Sequence, residues 1–301
     1  MKSIKKVVIN PPFRWAGSKK KVLNEILNLF VKDKENYIEM FLGSGVVLLN
    51  VIDNNNILNY KNFIVNDINR NVIDFYLYLR DRCDKFINEI SRLIEKYNSL
   101  TLSEKETFYY ETRNLFNEIE PSDKKTEIFY FLMKTGFNGV YRENKDGAFN
   151  VPFGRKEKIN VNVDYLNKIS KCIQNVLFYN MDYEDFINEM KKQNKLNDTF
   201  IYCDPPYLPD DDSMVQKQML YTYTPFKHDE FFDNMKDISE KARIMISMSE
   251  SKKSDLIYCN HLFKKVDIKL TLRTINPKKI LKSNEVAFIN YDIENVLNND
   301  N

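Results

Sequence analysis

Cysteine and histidine are scarce in this chain: its 301 residues include four of the first and two of the second. Cys83, Cys172, Cys203 and Cys259 stand far apart with no CxxC pair, and only His228 and His261 could supplement them. That pattern argues against a disulfide framework and against a structural zinc site. Long apolar runs are missing as well, and the apolar part of MKSIKKVVINPP is too short for a secretory signal, so a cytoplasmic protein without membrane contact is expected. An excess of one charge is also absent. With 45 Lys+Arg against 43 Asp+Glu the net charge is +2, and any nucleic-acid surface must come from local clustering.

What is present reads first as α/β. Short apolar, β-branched or aromatic runs at Tyr37–Phe41, Phe63–Val65, Val176–Phe178, Phe200–Tyr202 and Ile244–Ile246 have the character of buried strands. Segments of helical period such as Val22–Val31 and Val72–Leu79 separate several of them, the pattern of a mostly parallel sheet. From Cys83 to Asn162 the strand-like runs vanish while helical periodicity continues through Ile87, Ile90, Leu93 and Ile94 and through Phe129–Thr135. The expected organisation is a split α/β domain, residues 1–82 and 163–301, with a helical subdomain, 83–162, inserted in it. The Asn-rich stretch Asp53–Asn59 and the tail Asn298–Asn301 are expected as solvated loop and frayed end.

Glycine is rare, seven in all, and it is spent in clusters: Gly17, then Gly43 and Gly45, then Gly136, Gly139, Gly147 and Gly154. Where glycine is scarce, such clusters mark loops in which backbone takes positive φ or approaches a ligand, although ordinary turns explain any single one. YIEMF runs straight into LGSG and the helix-like VVLLNVI, putting Gly43 and Gly45 at a strand-to-helix turn, where cofactors bind. FIVND ends the next strand at Asp67. That acid is read equally well as a partner for ribose hydroxyls and as the cap of the helix that follows.

The most informative run is FIYCDPPY, a buried strand ending in Asp204, Pro205, Pro206 and Tyr207. Two prolines fix φ and remove two donors, leaving a stiff loop rich in acceptors. Such a loop suits an amine conjugated to a ring, as N6 of adenine is. Acceptance by Asp204 and by the Pro205 carbonyl would return electron density to the nitrogen, and Tyr207 would stack on the base. A methyl group on a sulfonium is already activated, so positioning suffices and neither metal nor covalent nucleophile is needed.

At these residues the chain resembles the Dam-type (D12 class) DNA adenine-N6 methyltransferases. The resemblance runs in order through RWAGSKKKVLNEI, EMFLGSGVV, NDIN, KTGFNGVYRENKDGAFNVPFG, NMDY, DPPYLP and EVAFINY. It implies a Rossmann-like S-adenosylmethionine-dependent methyltransferase fold with an inserted helical target-recognition subdomain, acting on duplex DNA as a monomer or weak dimer. It further implies that Trp15, Lys19, Phe41, Gly43, Gly45, Asp67, Asp182, Tyr183 and Asp204 line the S-adenosylmethionine pocket and that Asp204, Pro205, Pro206 and Tyr207 are catalytic. Arg14, Phe137, Asn138, Val140, Arg142 and Asn144 would meet DNA, reading a site such as GATC. Ser18, Met40, Val140 and Met248 depart from the commoner glycine, proline, leucine and asparagine of the family.

The residues themselves agree with a DNA-facing hairpin. Arg142 offers a bidentate donor for a base edge, and Phe137 could wedge into the stack. From Lys134 to Lys158 six basic residues face three acids, enough for phosphate contacts. Asp210–Asp212 read as a solvated loop rather than metal ligands, residues 208–222 are expected to order over bound DNA, and Lys278, Lys279 and Lys282 are candidate phosphate contacts. Two other functions compete. Methyltransferases acting on other amines commonly open the loop with serine or asparagine, where this chain has Asp204, and cytosine-C5 methylation needs a Pro-Cys pair that does not occur. A catalytically silent DNA-binding relative would be expected to show a damaged loop.

Overall fold

The computed structural model describes residues 9–208, 226–276 and 279–293, and the side chains outside 269–283 within them. The Asp210–Asp212 run, the segment expected to order over DNA, the side chains of the Lys278–Lys282 cluster and the Asn298–Asn301 tail lie outside the described residues.

Seven strands build one sheet: β1 (Asn36–Glu39), β2 (Asn62–Asn66), β3 (Val176–Tyr179), β4 (Thr199–Cys203), β5 (Ala242–Ser249), β6 (Lys264–Asn276) and β7 (Lys279–Ile289), in the order β3-β2-β1-β4-β5-β7-β6. The first five are parallel, and β7 runs antiparallel between β5 and β6. Eleven helices are described: α1 (Leu23–Leu27), α2 (Val46–Asp53), α3 (Asn55–Leu58), α4 (Arg70–Asp81), α5 (Cys83–Ser99), α6 (Leu102–Glu118), α7 (Asp123–Thr135), α8 (Val163–Cys172), α9 (Tyr183–Lys192), α10 (His228–Ile238) and α11 (Lys252–Tyr258).

Side chains alternate across the sheet with period two. Tyr37, Val65, Phe200, Tyr202, Met245 and Ala287 pack on one face with α1, α2, α4 and α8, while Ile38, Ile64, Ile201, Cys203, Ile246 and Phe288 pack on the other with α9, α10 and α11. Because both faces are covered, the central strands read as unbroken apolar runs, which is why five of them stand out in the sequence. β6 and β7 do not stand out, since KKVDIKL alternates polar and apolar residues and gains its place only by pairing with β7.

Two local expectations change. The helix expected over Val22–Val31 stops at Leu27, because the chain turns there to lay fully buried Phe30 against Phe200, Tyr202 and Tyr37. The Asn-rich stretch 53–59 is a docked helical turn rather than a solvated loop: Asn54 donates to the Asn50 carbonyl at 2.9 Å, Asn55 exchanges two 2.8 Å bonds with the Tyr60 backbone, and Leu58 is fully buried.

Between residues 83 and 139 the chain is helical, whereas 140–162 is irregular, with isolated bridges at Gly136/Phe153 and Glu143/Phe149. A reciprocal Thr101/Glu104 capping box starts α6, and the Ser122 side chain caps α7. Helix α7 is buried on nearly every side, touching α4, α5 and α6, and Phe129 and Tyr130 join it to the core beneath the sheet.

Candidate active site

Strand order reverses between β1 and β4, whose neighbours lead away in opposite directions, and the crevice at their carboxyl ends is where ligands enter such sheets. The chain leaving β1 turns through Gly43 (φ +51°) and Gly45 (φ +72°) into α2. Neither position admits a side chain. A Cβ on Gly45 would lie 2.2 Å from the Tyr76 hydroxyl, which bonds the Ser44 carbonyl at 2.6 Å, and one on Gly43 would lie 3.0 Å from Cδ1 of Trp15.

With glycine at its N-cap, α2 has no side chain of its own to satisfy its first amides. Glu39, buried at the end of β1, accepts the Tyr37 hydroxyl at 2.8 Å. Burial holds its carboxyl well above the usual range, and the negative charges of Asp204 and Asp67 push the same way. Asp67 follows β2 and accepts from the Gly43 amide at 2.7 Å and the Asn69 amide at 2.8 Å. Burial raises its pKa to about 6, against the pull of those two amides. Asn69, not Asp67, caps α4, accepting from the Asn71 amide at 3.0 Å, which leaves Asp67 as the acid that ties the glycine turn to β2. Asn66 fastens the same corner, donating to the Met40 and Met181 carbonyls and accepting from the Met181 amide at 3.0 Å.

Asp204 leaves the end of β4 facing this turn. Its carboxylate pairs with Lys19, whose side chain is only 2% exposed and which also donates to the Tyr207 hydroxyl at 2.9 Å. Burial alone would lower the ammonium's pKa, but Asp204 and the surrounding acidic groups more than offset it and hold it well above the ordinary lysine value. Tyr207 in turn donates to Glu285 on β7 at 3.4 Å, and Ser249 at the end of β5 approaches the same carboxylate oxygen at 3.5 Å. The loop thus sits among alternating charges rather than apolar groups. An aromatic wall lies beside it: Phe41, Tyr183, Phe226 and Phe231 have ring centroids 5.3 to 6.4 Å apart, each within reach of the others. Asp182 caps α9, accepting from the Glu184 amide at 2.9 Å, and so orients Tyr183 at the helix's first position.

The family model of D12 class N6 adenine-specific DNA methyltransferases matches residues 15–275, the span that holds the glycine turn after β1, the acid after β2 and the Asp-Pro-Pro-Tyr loop after β4. The chain belongs to this family. It is an adenine-specific DNA methyltransferase, and its seven-stranded α/β sheet is the Rossmann-like methyltransferase fold. It is 34% identical over 210 residues to the type II methyltransferase M.MjaIII of Methanocaldococcus jannaschii, covering 67% of this chain and 70% of that protein. It is 29% identical over 298 residues to the DNA adenine methylase of Haemophilus influenzae, covering 95% and 96% of the two, and 31% identical over 196 residues to that of Escherichia coli K12, covering 65% and 64%.

The hairpin of the methyltransferase adjoins the glycine turn. Trp15 stacks on Tyr141, whose hydroxyl bonds Glu143 and accepts from Asn71 at 3.2 Å. Phe137 projects with 54% of its surface exposed, Asn138 has φ +56°, and the Arg14 guanidinium reaches the Asn138 carbonyl at 3.5 Å. Val140 is half-buried against the core. Arg142 is bridged to Asn150, Nε to the side-chain oxygen at 2.7 Å and a terminal nitrogen to the carbonyl at 3.2 Å. Asn144 builds the turn itself, its oxygen accepting from the Asp146 and Ala148 amides. Lys134 and Lys156 crowd Arg14; burial and that cation both lower their pKa values.

Three residues at this site escape sequence reading: Glu39, Asn66 and Glu285. Glu39 and Glu285 sit in quoted motifs, EMFLGSG and EVAFINY, and a charged residue inside an apolar strand was the available signal. No described helix is long and apolar enough to cross a membrane, and no described cluster of His, Cys, Asp or Glu could hold a metal.

Proposed function

We propose that this methyltransferase moves the methyl group of S-adenosylmethionine to N6 of an adenine extruded from duplex DNA, within GATC. The observation that carries this reading is the convergence of Asp204, Lys19 and Tyr207 beside the Gly43–Gly45 turn and Asp67. When bound, S-adenosylmethionine supplies a methyl group already activated on a sulfonium. The residues present suit it: Asp67 offers a carboxylate to ribose hydroxyls, and Phe41 and Tyr183 offer faces to a purine. Trp15, Lys19 and Asp182 complete the pocket by holding the turn, the loop and α9 in place.

Asp204 and the Pro205 carbonyl accept hydrogen bonds from the exocyclic amine, and Tyr207 stacks on the base. Lys19 competes for Asp204 before the base arrives, keeping the carboxylate ionised and aimed. Phe137 fills the gap left in the duplex, Arg14, Asn138, Val140, Arg142 and Asn144 form the reading surface, and the cations Lys134 and Lys156 meet phosphates. In this reading residues 83–162 recognise the target and the rest of the chain performs transfer, in the cytoplasm, as a monomer or weak dimer without a metal.

Transfer of labelled methyl from S-adenosylmethionine to duplexes holding GATC or a scrambled adenine site, with Asp204→Ala alongside, tests it. Label on GATC alone, lost in the variant, is the expected result. Label on both duplexes would remove GATC from the proposal, and label retained by Asp204→Ala would remove the loop.

A further inference from the structure

Two prolines stiffen the backbone after β4, but they leave the side-chain torsions of Tyr207 untouched, so the plane of its ring has to be set from elsewhere in the fold. Its hydroxyl is held twice. Lys19 directs its three N–H groups at the Gly17 carbonyl at 3.4 Å, at Asp204, and at the Tyr207 hydroxyl at 2.9 Å. An ammonium can only donate, so the phenol oxygen accepts from Lys19, and its own proton is left for Glu285, whose Oε1 lies 3.4 Å away. The Ser249 hydroxyl donates to the same carboxylate oxygen at 3.5 Å. The chain of donors therefore runs one way, from Lys19 through Tyr207 to Glu285.

Glu285 occupies an unexpected place for an acid. Strand β7 alternates its side chains between the two layers: Val286 and Phe288 enter one, Ala287 and Ile289 the other. By that alternation Glu285 shares the face of Ala287 and Ile289; it is 4% exposed and lies opposite Ser249, the last residue of β5, in the ladder. A carboxyl group at a core position is costly to bury, and the groups it engages there include the hydroxyls of Ser249 and Tyr207. The second of these belongs to the loop that faces the glycine turn, 78 residues away in the chain.

We propose that Glu285 is a positioning residue for methyl transfer: by accepting the Tyr207 hydroxyl it fixes the plane of the ring that stacks on the extruded base, and so holds the target amine in line with the methyl group. The inference rests on Asp204–Tyr207 being the transfer loop. Hydrogen bonds in active sites are often long before the substrate arrives and tighten around it. Misplacing a reacting group by about 1 Å can cost on the order of 100-fold in rate, so the effect belongs in kcat rather than in binding.

The test is a double-mutant cycle in steady-state methyl transfer to a duplex the wild type methylates. It combines Glu285→Leu, which removes the acceptor and suits the apolar face, with Tyr207→Phe, which keeps the ring and removes the hydroxyl. Glu285→Gln, which keeps an acceptor, and Asp204→Ala run alongside. The expected result is a kcat lowered roughly 10- to 100-fold in Glu285→Leu and in Tyr207→Phe, with both KM values unchanged, and largely restored in Glu285→Gln. The double variant should lose no more than about a further twofold, because the acid acts through the hydroxyl that is already gone. Should Glu285→Leu fail to fold, Glu285→Ala carries the same expectation. Losses that multiply in the double variant, a wild-type kcat in Tyr207→Phe, equal losses in the leucine and glutamine variants, or a loss confined to KM overturn the proposal. Activity retained by Asp204→Ala overturns instead the reading of the loop on which it stands.

Discussion

The indole of Trp15 lies over the phenol ring of Tyr141, with 5.4 Å between centroids and 21° between planes. One face of that indole touches the hairpin, while its edge closes over Gly43, so the hairpin and the glycine turn share a single side chain. Trp15 is also the only tryptophan in the chain. Its fluorescence is expected to change saturably as S-adenosylmethionine is added. Trp15→Ala should weaken cofactor binding about tenfold by calorimetry, since a stacked aromatic pair contributes about 0.5–1.5 kcal/mol beyond burial. An unchanged Kd in the alanine variant would separate Trp15 from the cofactor turn.

Gly45→Ala should be among the most damaging small substitutions available. It combines a left-handed φ of +72° with a Cβ 2.2 Å from the Tyr76 hydroxyl. Strain and overpacking together predict a loss of about 2–4 kcal/mol. The double variant Gly45→Ala/Tyr76→Phe, which removes the obstructing oxygen, should recover part of it. Urea midpoints measure both, and a double variant no more stable than the single one would show that the hydroxyl is not the obstruction that matters.

Asp67 gives the stability a specific pH dependence. Its pKa in the folded protein is about 6, above the ordinary value of 3.8, so the folded state keeps the proton after the unfolded chain has lost it. The contribution therefore favours folding in full below about pH 4 and is lost as pH rises through about 6, a change of up to about 3 kcal/mol. Subtracting the stability of Asp67→Asn from that of wild type at each pH isolates the group. The difference should fall between pH 4 and 6.5; a level difference would mean that the carboxyl titrates normally.

Arg142 and Lys156 should separate reading from holding. Arg142 is presented in a fixed rotamer by Asn150, as a base-reading guanidinium must be, whereas Lys156 sits in a cluster of cations with Arg14 and Lys134. Arg142→Ala should cost about 1–3 kcal/mol of discrimination between the target and a one-base variant, read as a ratio of kcat/KM values. Lys156→Ala should weaken binding to both duplexes alike and reduce the slope of log K against log salt by about one. Equal loss of discrimination in the two variants would contradict the division.

Glu39 offers a cleaner comparison of charge with shape. Its carboxyl accepts the Tyr37 hydroxyl where burial disfavours the charged form, and Glu39→Gln keeps a neutral acceptor of the same shape there. It should cost little, whereas Glu39→Ala leaves the Tyr37 hydroxyl unsatisfied and should cost about 1–3 kcal/mol by chemical unfolding. A glutamine variant as unstable as the alanine one would show that charge rather than shape matters at this position.

The sequence by itself determined what depends on short-range chemistry. Buried parallel strands must be apolar throughout, so Phe200–Tyr202 and Ile244–Ile246 announce themselves, and the glycine turn and the Asp-Pro-Pro-Tyr run carry their backbone constraints in their own residues. Tertiary structure alone decided the rest. Lys19 and Asp204 are 185 residues apart in the chain yet form the central ion pair, and nothing local to either names the other. Phe30 ends a helix early because the sheet offers its ring a buried place, overriding helical periodicity. Glu285 looks like an isolated polar residue in sequence because its partner, Tyr207, reaches it only when separate elements pack together and exclude water.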